Sequence, residues 1–279
     1  MENEMAENGT EKIPPIIHYC WFGGNPLPDM ARKCIASWRK YCPGYQIIEW
    51  NETNFDINYN DYMREAYEAK KWAFVSDVAR LYALSAMGGI YMDTDVELLK
   101  PLDSLRQYEA VSGFECQTRI STGLMACREG QEMFLEFLSA YNDIHFRLKD
   151  GSFDLTPNVT RITDACLKYG LSLDNKKQTV RGFTLLPSEY LCPKNFETLE
   201  TKITEHTLCI HHFDGSWLSD EDKYRIALKE KMRRFFSAPL SGHIARFISI
   251  AKYESLTEAM VQSGKWLRQK KKDRKKYDI

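Results

Sequence analysis

The chain has 279 residues, 43% of them apolar, enough to bury one large core or two small ones. Its 38 Lys and Arg balance 39 Asp and Glu, which points away from a nucleic-acid binder and from an acidic solvating protein. Eight cysteines are scattered without a Cys-x-x-Cys pair, which argues against a zinc ribbon or redox motif and fits free thiols in a reducing cytoplasm.

The first dozen residues carry four glutamates and no apolar run. They do not read as a secretory leader, and residues 1–12 are expected to be disordered. Residues 13–22, IPPIIHYCWF, form a β-branched and aromatic run that stops at Gly23-Gly24-Asn25-Pro26, the pattern of a buried strand and turn. Met30, Cys34, Ile35 and Trp38 follow at helical spacing over 28–41, and 45–50 reads as a second strand. The opening is therefore β-α-β, which favours a parallel sheet.

A helical pattern over 61–87, broken near Lys71, ends at Gly88-Gly89. Residues 90–99, IYMDTDVELL, then read as a strand interrupted by two aspartates two positions apart. Further strands are expected over 110–114 and 123–127, helices over 131–141 and 161–169, and a strand running into a glycine turn over 208–217. Only helical patterns follow. The catalytic domain is expected to span 13–218 and a helical extension 219–279.

In an extended segment, side chains two apart share a face, so Asp93 and Asp95 are expected to aim both carboxylates at one point. Hard oxygens in that arrangement suit Mg²⁺ or Mn²⁺, which complete their shells with water and substrate phosphate. A calcium loop of the EF-hand type fails at its sixth position, where glycine is required and Leu98 stands. On the preceding helix Asp77 and Arg80 are three apart and share a face. They read either as a surface ion pair, worth under ~1 kcal/mol, or as groups holding sugar hydroxyls and diphosphate charge. Trp21, at the end of the first strand, can stack on a base or fill the core. His212 ends the last strand as a third metal ligand, a phosphate contact or a solvated histidine. His211 precedes it, and adjacent strand residues face opposite ways, so only one of the two is expected to face the metal.

With these residues in place, the chain resembles the family-32 glycosyltransferases, the sugar-binding-region group that carries an Asp-x-Asp motif and includes bacterial capsule-synthesis enzymes. The resemblance covers about 13–217 and rests on IIHYCWFGG (16–24), FVSDVARLYALSAMGGIYMDTDVE (74–97) and HHFDGSW (211–217). It implies a GT-A, Rossmann-like α/β fold with a mixed, mostly parallel sheet flanked by helices. It also implies a divalent cation, usually manganese, and transfer of a hexose from a nucleotide sugar with retention of configuration, as in capsule or O-antigen synthesis. By that likeness Trp21 stacks on the base, expected to be uracil, Asp77 and Arg80 hold the donor sugar, and Tyr91 lines the nucleotide pocket. Asp93 assists the ribose or metal, Asp95 is the direct ligand, His212 approaches the metal, and Ser216 and Trp217 close over the phosphates. Ser121 stands near the expected donor sugar, where many relatives have asparagine.

The tail 265–276, KWLRQKKKDRKK, is basic, as for a peripheral contact with anionic lipid on the inner membrane face, where a lipid-linked glycan acceptor would be met. The rival readings are a solvated basic tail and, for the whole chain, a non-catalytic nucleotide-sugar or carbohydrate-binding protein on the same fold.

Overall fold

The computed structural model describes residues 12–116, 118–195, 200–215 and 220–277. The chain divides into two compact units, Met1–Asp214 and Gly215–Ile279.

In the first unit the strands are β1 (Ile16–Cys20), β2 (Gln46–Trp50), β3 (Gly89–Met92), β4 (Val96–Leu98), β5 (Ala110–Cys116), β6 (Arg119–Ile120), β7 (Leu124–Cys127), β8 (Gln178–Val180), β9 (Phe183–Leu186) and β10 (Cys209–His211). The helices are α1 (Asp29–Tyr41), α2 (Asp61–Glu68), α3 (Trp72–Met87), α4 (Glu132–Ser139), α5 (Asn158–Leu167) and α6 (Ser188–Leu191). The main sheet has the order β2-β1-β3-β7-β5-β9-β8, with β6 on β5. From the pairing directions, β2, β1, β3, β5 and β9 run one way and β7 and β8 the other. This is the expected mixed, mostly parallel sheet flanked by helices.

Strand alternation sends side chains to two cores. On β1 and β3, Ile17, Tyr19, Ile90 and Met92 join the cluster around α1, while Cys20 and Tyr91 join the one around α2 to α5. In α1 the predicted spacing holds, with Ala31, Cys34, Ile35 and Trp38 buried. The Trp38 indole donates to the Val96 carbonyl at 2.7 Å, tying the helix to the segment that follows the Asp pair. Asn60 caps α2, its side chain accepting from the Met63 N–H. Helix α3 is buried around much of its circumference, Asp77 and Arg80 included, as a helix through the middle of a domain must be. It stops where Gly88 (φ 61°) and Gly89 (φ 102°) turn the chain into β3. A Cβ there would lie 2.6 Å from the Glu129 nitrogen and 2.8 Å from the Ile16 oxygen respectively, so no larger residue fits the turn.

One expected strand divides. Residues 90–99 do not run straight, because the chain leaves β3 after Met92, turns with the Val96 N–H on the Asp93 carbonyl at 3.0 Å, and resumes as β4. That strand quits the main sheet for an antiparallel pair with β10. Of the late strand and turn expected over 208–217, the strand among the described residues is Cys209–His211.

The second unit contains α7 (Asp220–Arg233), α8 (Ala238–Tyr253) and α9 (Leu256–Tyr277). His243 of α8 stacks on Trp266 of α9 with ring centroids 3.8 Å apart. Among the described residues, no helix is long and apolar enough to cross a membrane.

Candidate metal and donor site

The two aspartates meet because of the turn rather than strand alternation. Asp93 follows the last residue of β3, its N–H donating to the Gly123 carbonyl at 2.8 Å. Asp95 lies beyond the bend, its Oδ2 accepting from the Asp214 N–H at 2.8 Å and its carbonyl from the His212 N–H at 3.0 Å. A carboxylate oxygen from each and a ring nitrogen of His211 all lie within 4.8 Å of one another. His211 Nε2 is 3.2 Å from Asp95 Oδ1 and 3.9 Å from Asp93 Oδ2. Two carboxylates and one imidazole form a donor set that fits Mn²⁺ or Mg²⁺.

Charge is already arranged for such a cation. Burial works against ionising Asp95, but His211 beside it and the Asp214 N–H carry its pKa down to about 2. Burial likewise works against a charged His211, yet Asp95 raises its pKa well above the usual imidazole value. His211 Nδ1 is buried and has no hydrogen-bond partner among the described residues. The ring packs against Phe213 at 4.1 Å between centroids. Phe213 holds φ at 55°, a left-handed conformation unusual for a bulky residue. Gly123 lies under the ring, where a Cβ would be 2.6 Å from His211 Nδ1.

Asp77 and Arg80 are not a surface pair, since they are 7% and 6% exposed. Arg80 Nη2 lies 3.3 Å from Asp77 Oδ1 and 3.2 Å from Asp93 Oδ1. The other guanidinium nitrogens donate to the carbonyls of Thr122 at 3.0 Å and Ser76 at 3.2 Å, and the group sits 4.5 Å above the Tyr91 ring. Burial pushes the Asp77 pKa up to about 6 against the pull of Arg80. Tyr91 is buried rather than lining an open pocket. Its hydroxyl donates to Asp93 Oδ1 at 3.0 Å, so its place is behind the motif.

Trp21 leaves the same sheet edge as Asp93, because β1 and β3 are parallel neighbours with His18 beside Tyr91. Its indole donates to the Asn25 carbonyl at 2.6 Å, fixing the ring within the glycine turn. Ser121 is buried, its N–H donating to Gly113 and its carbonyl accepting from Ser112. His212 is the site residue the structure relocates. Its Nε2 lies 2.8 Å from Glu97 Oε2, whereas His211 faces the aspartates. The parity of β10 explains the exchange, since Cys209 and His211 share one face and Ile210 and His212 the other. Cys209 is fully buried, so the inward face is that of His211. Ser216 and Trp217 lie outside the described residues.

Residues 28–112 match the family described as a glycosyltransferase sugar-binding region containing a DXD motif. The matched stretch contains Asp77, Arg80 and the motif itself, Asp93-Thr94-Asp95. Among curated proteins, the chain is 31% identical over 115 residues to inositol phosphoceramide mannosyltransferase 1 of Schizosaccharomyces pombe, covering 37% of this chain and 34% of that one. It is 27% identical over 142 residues to the yeast's inositol phosphoceramide mannosyltransferase 3, covering 48% and 38%. The chain thus spans little more than a third of the length of these relatives. An uncharacterized glycosyltransferase of Acanthamoeba polyphaga mimivirus, L373, is 26% identical over 66% of this chain and 74% of its own. Solved structures with loose likeness include a glycosyltransferase involved in glycosylation of the major capsid of PBCV-1 (12% identity, 83% of this chain and 99% of that one, TM-score 0.41). Another is the galactosyltransferase LgtC (13%, 82% and 95%, TM-score 0.38).

Proposed function

We propose that this chain is a metal-dependent glycosyltransferase that moves a hexose from a nucleotide sugar, a UDP-sugar in the first instance, to a glycan acceptor. The observation that carries the reading is the convergence of Asp93, Asp95 and His211 at the sheet edge beside the buried Arg80. Asp93, Asp95 and His211 would hold the cation, Mn²⁺ or Mg²⁺, which when bound supplies Lewis-acid stabilisation of charge on the departing diphosphate. Arg80 is fixed by four neighbours and adds a permanent positive charge at the same edge. In this reading Asp77 accepts from donor-sugar hydroxyls and Trp21 stacks on the base.

Retention of configuration, with the donor's own phosphate taking the acceptor proton, and a place in capsule or O-antigen synthesis complete the proposal. Two curated relatives are named for an inositol phosphoceramide acceptor, a lipid. A lipid-linked acceptor here would suit peripheral contact of the basic C-terminal segment with a membrane.

The test is a panel of UDP- and GDP-hexoses assayed for slow donor hydrolysis with Mn²⁺, with Mg²⁺ and with EDTA. At least one donor is expected to turn over, EDTA to abolish the rate, and Asp95→Asn to lower it about 100-fold or more. No turnover of any donor in the presence of Mn²⁺, or a rate indifferent to EDTA, overturns the reading. Binding of UDP without turnover would make the chain a nucleotide-sugar-binding protein.

A further inference from the structure

Beside the Asp93, Asp95 and His211 cluster, residues of β5, of α6, of 193–195 and of 200–204 line a cavity of about 360 Å³, among them Glu115, Ser188, Cys192, Lys194, Asn195 and Thr204. Its volume is within the ~300–1,000 Å³ typical of small-molecule sites. Glu115, next to last in β5, is half-buried and has no hydrogen bond or ion pair among the described residues. Burial raises its pKa while His211 draws it down, which places the carboxyl within electrostatic reach of the cluster. Cys192 also joins the two places, being flanked by His211 and lining the cavity. A carboxyl that faces a cavity with no partner in the fold keeps its oxygens available to accept from a ligand there.

We propose that this cavity is a carbohydrate subsite that receives the acceptor sugar, with Glu115 accepting a hydrogen bond from an acceptor hydroxyl next to the metal cluster. The chemistry of the lining selects the ligand class. Carboxylate, ammonium, amide and hydroxyl groups alternate around it, a mixture that matches the donors and acceptors of a neutral pyranose. An anionic phosphate headgroup would face the unpaired Glu115 carboxylate, and a flat base would find no aromatic side chain among those lining residues. Lys194 is held in place, its Nζ donating to the His212 carbonyl at 2.6 Å, and so connects the cavity wall to the loop after β10. The assignment as acceptor subsite rests on the transferase reading above; binding of sugar in the cavity does not.

The test uses the full chain with UDP and Mg²⁺ and a panel of methyl glucosides, galactosides and mannosides, read by saturation-transfer NMR. At least one glycoside is expected to give a signal in the wild type. Glu115→Gln should weaken its binding about fivefold or more, Glu115→Asp should weaken it less, and Ser188→Tyr, which fills the cavity, should abolish it. Unfolding midpoints close to wild type show that the variants are folded. The subsite is overturned if no methyl glycoside binds, or if Glu115→Gln and Ser188→Tyr both bind as the wild type does. The donor-hydrolysis assay is independent of this readout. Glycoside binding lost in the variants of a chain without donor turnover would retain the carbohydrate site and remove the transferase reading.

Discussion

The two oxygens of Asp93 have different tasks. Oδ1 meets both the Arg80 guanidinium and the Tyr91 hydroxyl, while Oδ2 is the atom turned to His211. A carboxylate held on one side by a fixed cation and a phenol presents its other oxygen in a defined direction, as second partners do for metal ligands generally. Gly123 has the corresponding effect on His211, whose ring occupies the volume a Cβ would need. Gly123→Ala is therefore expected to displace the imidazole and weaken Mn²⁺ binding about 10–100-fold, while the aspartates stay in place. Titration of Mn²⁺ followed by EPR checks this, and unchanged affinity would remove His211 from the ligand set. Asp93, Asp95, Asp77 and Arg80 were legible because their spacing and order are local. The choice between His211 and His212 was not, because Cys209 and Ile210 are both apolar and a three-residue strand offers no parity signal. Glu115 carried no signal at all, since a single acidic residue at a strand end acquires meaning only from the cavity beside it.

At the scale of elements, α3 and β1 carry polar groups through the core, and each makes a different demand on it. Arg80 compensates two carboxylates, so Arg80→Ala leaves the buried Asp77 without its counter-charge. Breaking a buried pair in this way costs about 3–5 kcal/mol, and calorimetry should show that loss; a cost under ~1 kcal/mol would mean that water reaches the pair. On β1, His18 is fully buried, with Nε2 at 2.8 Å from the Gly88 carbonyl and Nδ1 accepting from the Trp50 indole at 3.1 Å. Both nitrogens are thereby assigned, and a second proton on Nδ1 would confront the indole N–H. Burial lowers the pKa to about 4 from an ordinary 6.5. Between those values the unfolded chain binds more protons than the folded one, so this contribution is full above pH 6.5 and lost as pH falls towards 4. The total is about 3 kcal/mol. Urea unfolding at pH 7.5 and pH 4 should show the advantage of wild type over His18→Gln shrinking by about that amount, and a pH-independent difference would refute the assignment. The helix and strand order was legible from periodicity, but the break at Asp93-Thr94-Asp95 was not. A hydrophobic run with two aspartates reads as one strand until β10 is known to pair with its second half.

At the scale of the whole molecule, the near-neutral balance conceals a separation of charge. Residues 215–279 hold 16 Lys and Arg against 8 Asp and Glu, a net +8, and residues 1–214 hold 22 against 31, a net −9. Asp93, Asp95 and His211 all belong to the acidic unit. The charge of the basic unit calls for an anionic partner, and the proposed membrane contact supplies one, since each Lys or Arg near an anionic bilayer contributes about 1 kcal/mol. Between α7 and α8, Phe235 and Phe236 are 78% and 43% exposed next to Arg233 and Arg234, an aromatic pair that, on the proposed membrane contact, would enter the headgroup layer while the charges stay outside it. The full chain is expected to sediment with phosphatidylglycerol vesicles at low salt and not with phosphatidylcholine. Release should follow as salt shortens the screening length from about 30 Å at 0.01 M to about 8 Å at 0.15 M. Phe235→Ser with Phe236→Ser should weaken the association severalfold at constant charge, which separates insertion from attraction. A wild-type chain that remains in the supernatant with anionic vesicles at low salt would leave the positive charge of this unit to some other partner and remove the membrane from the proposal.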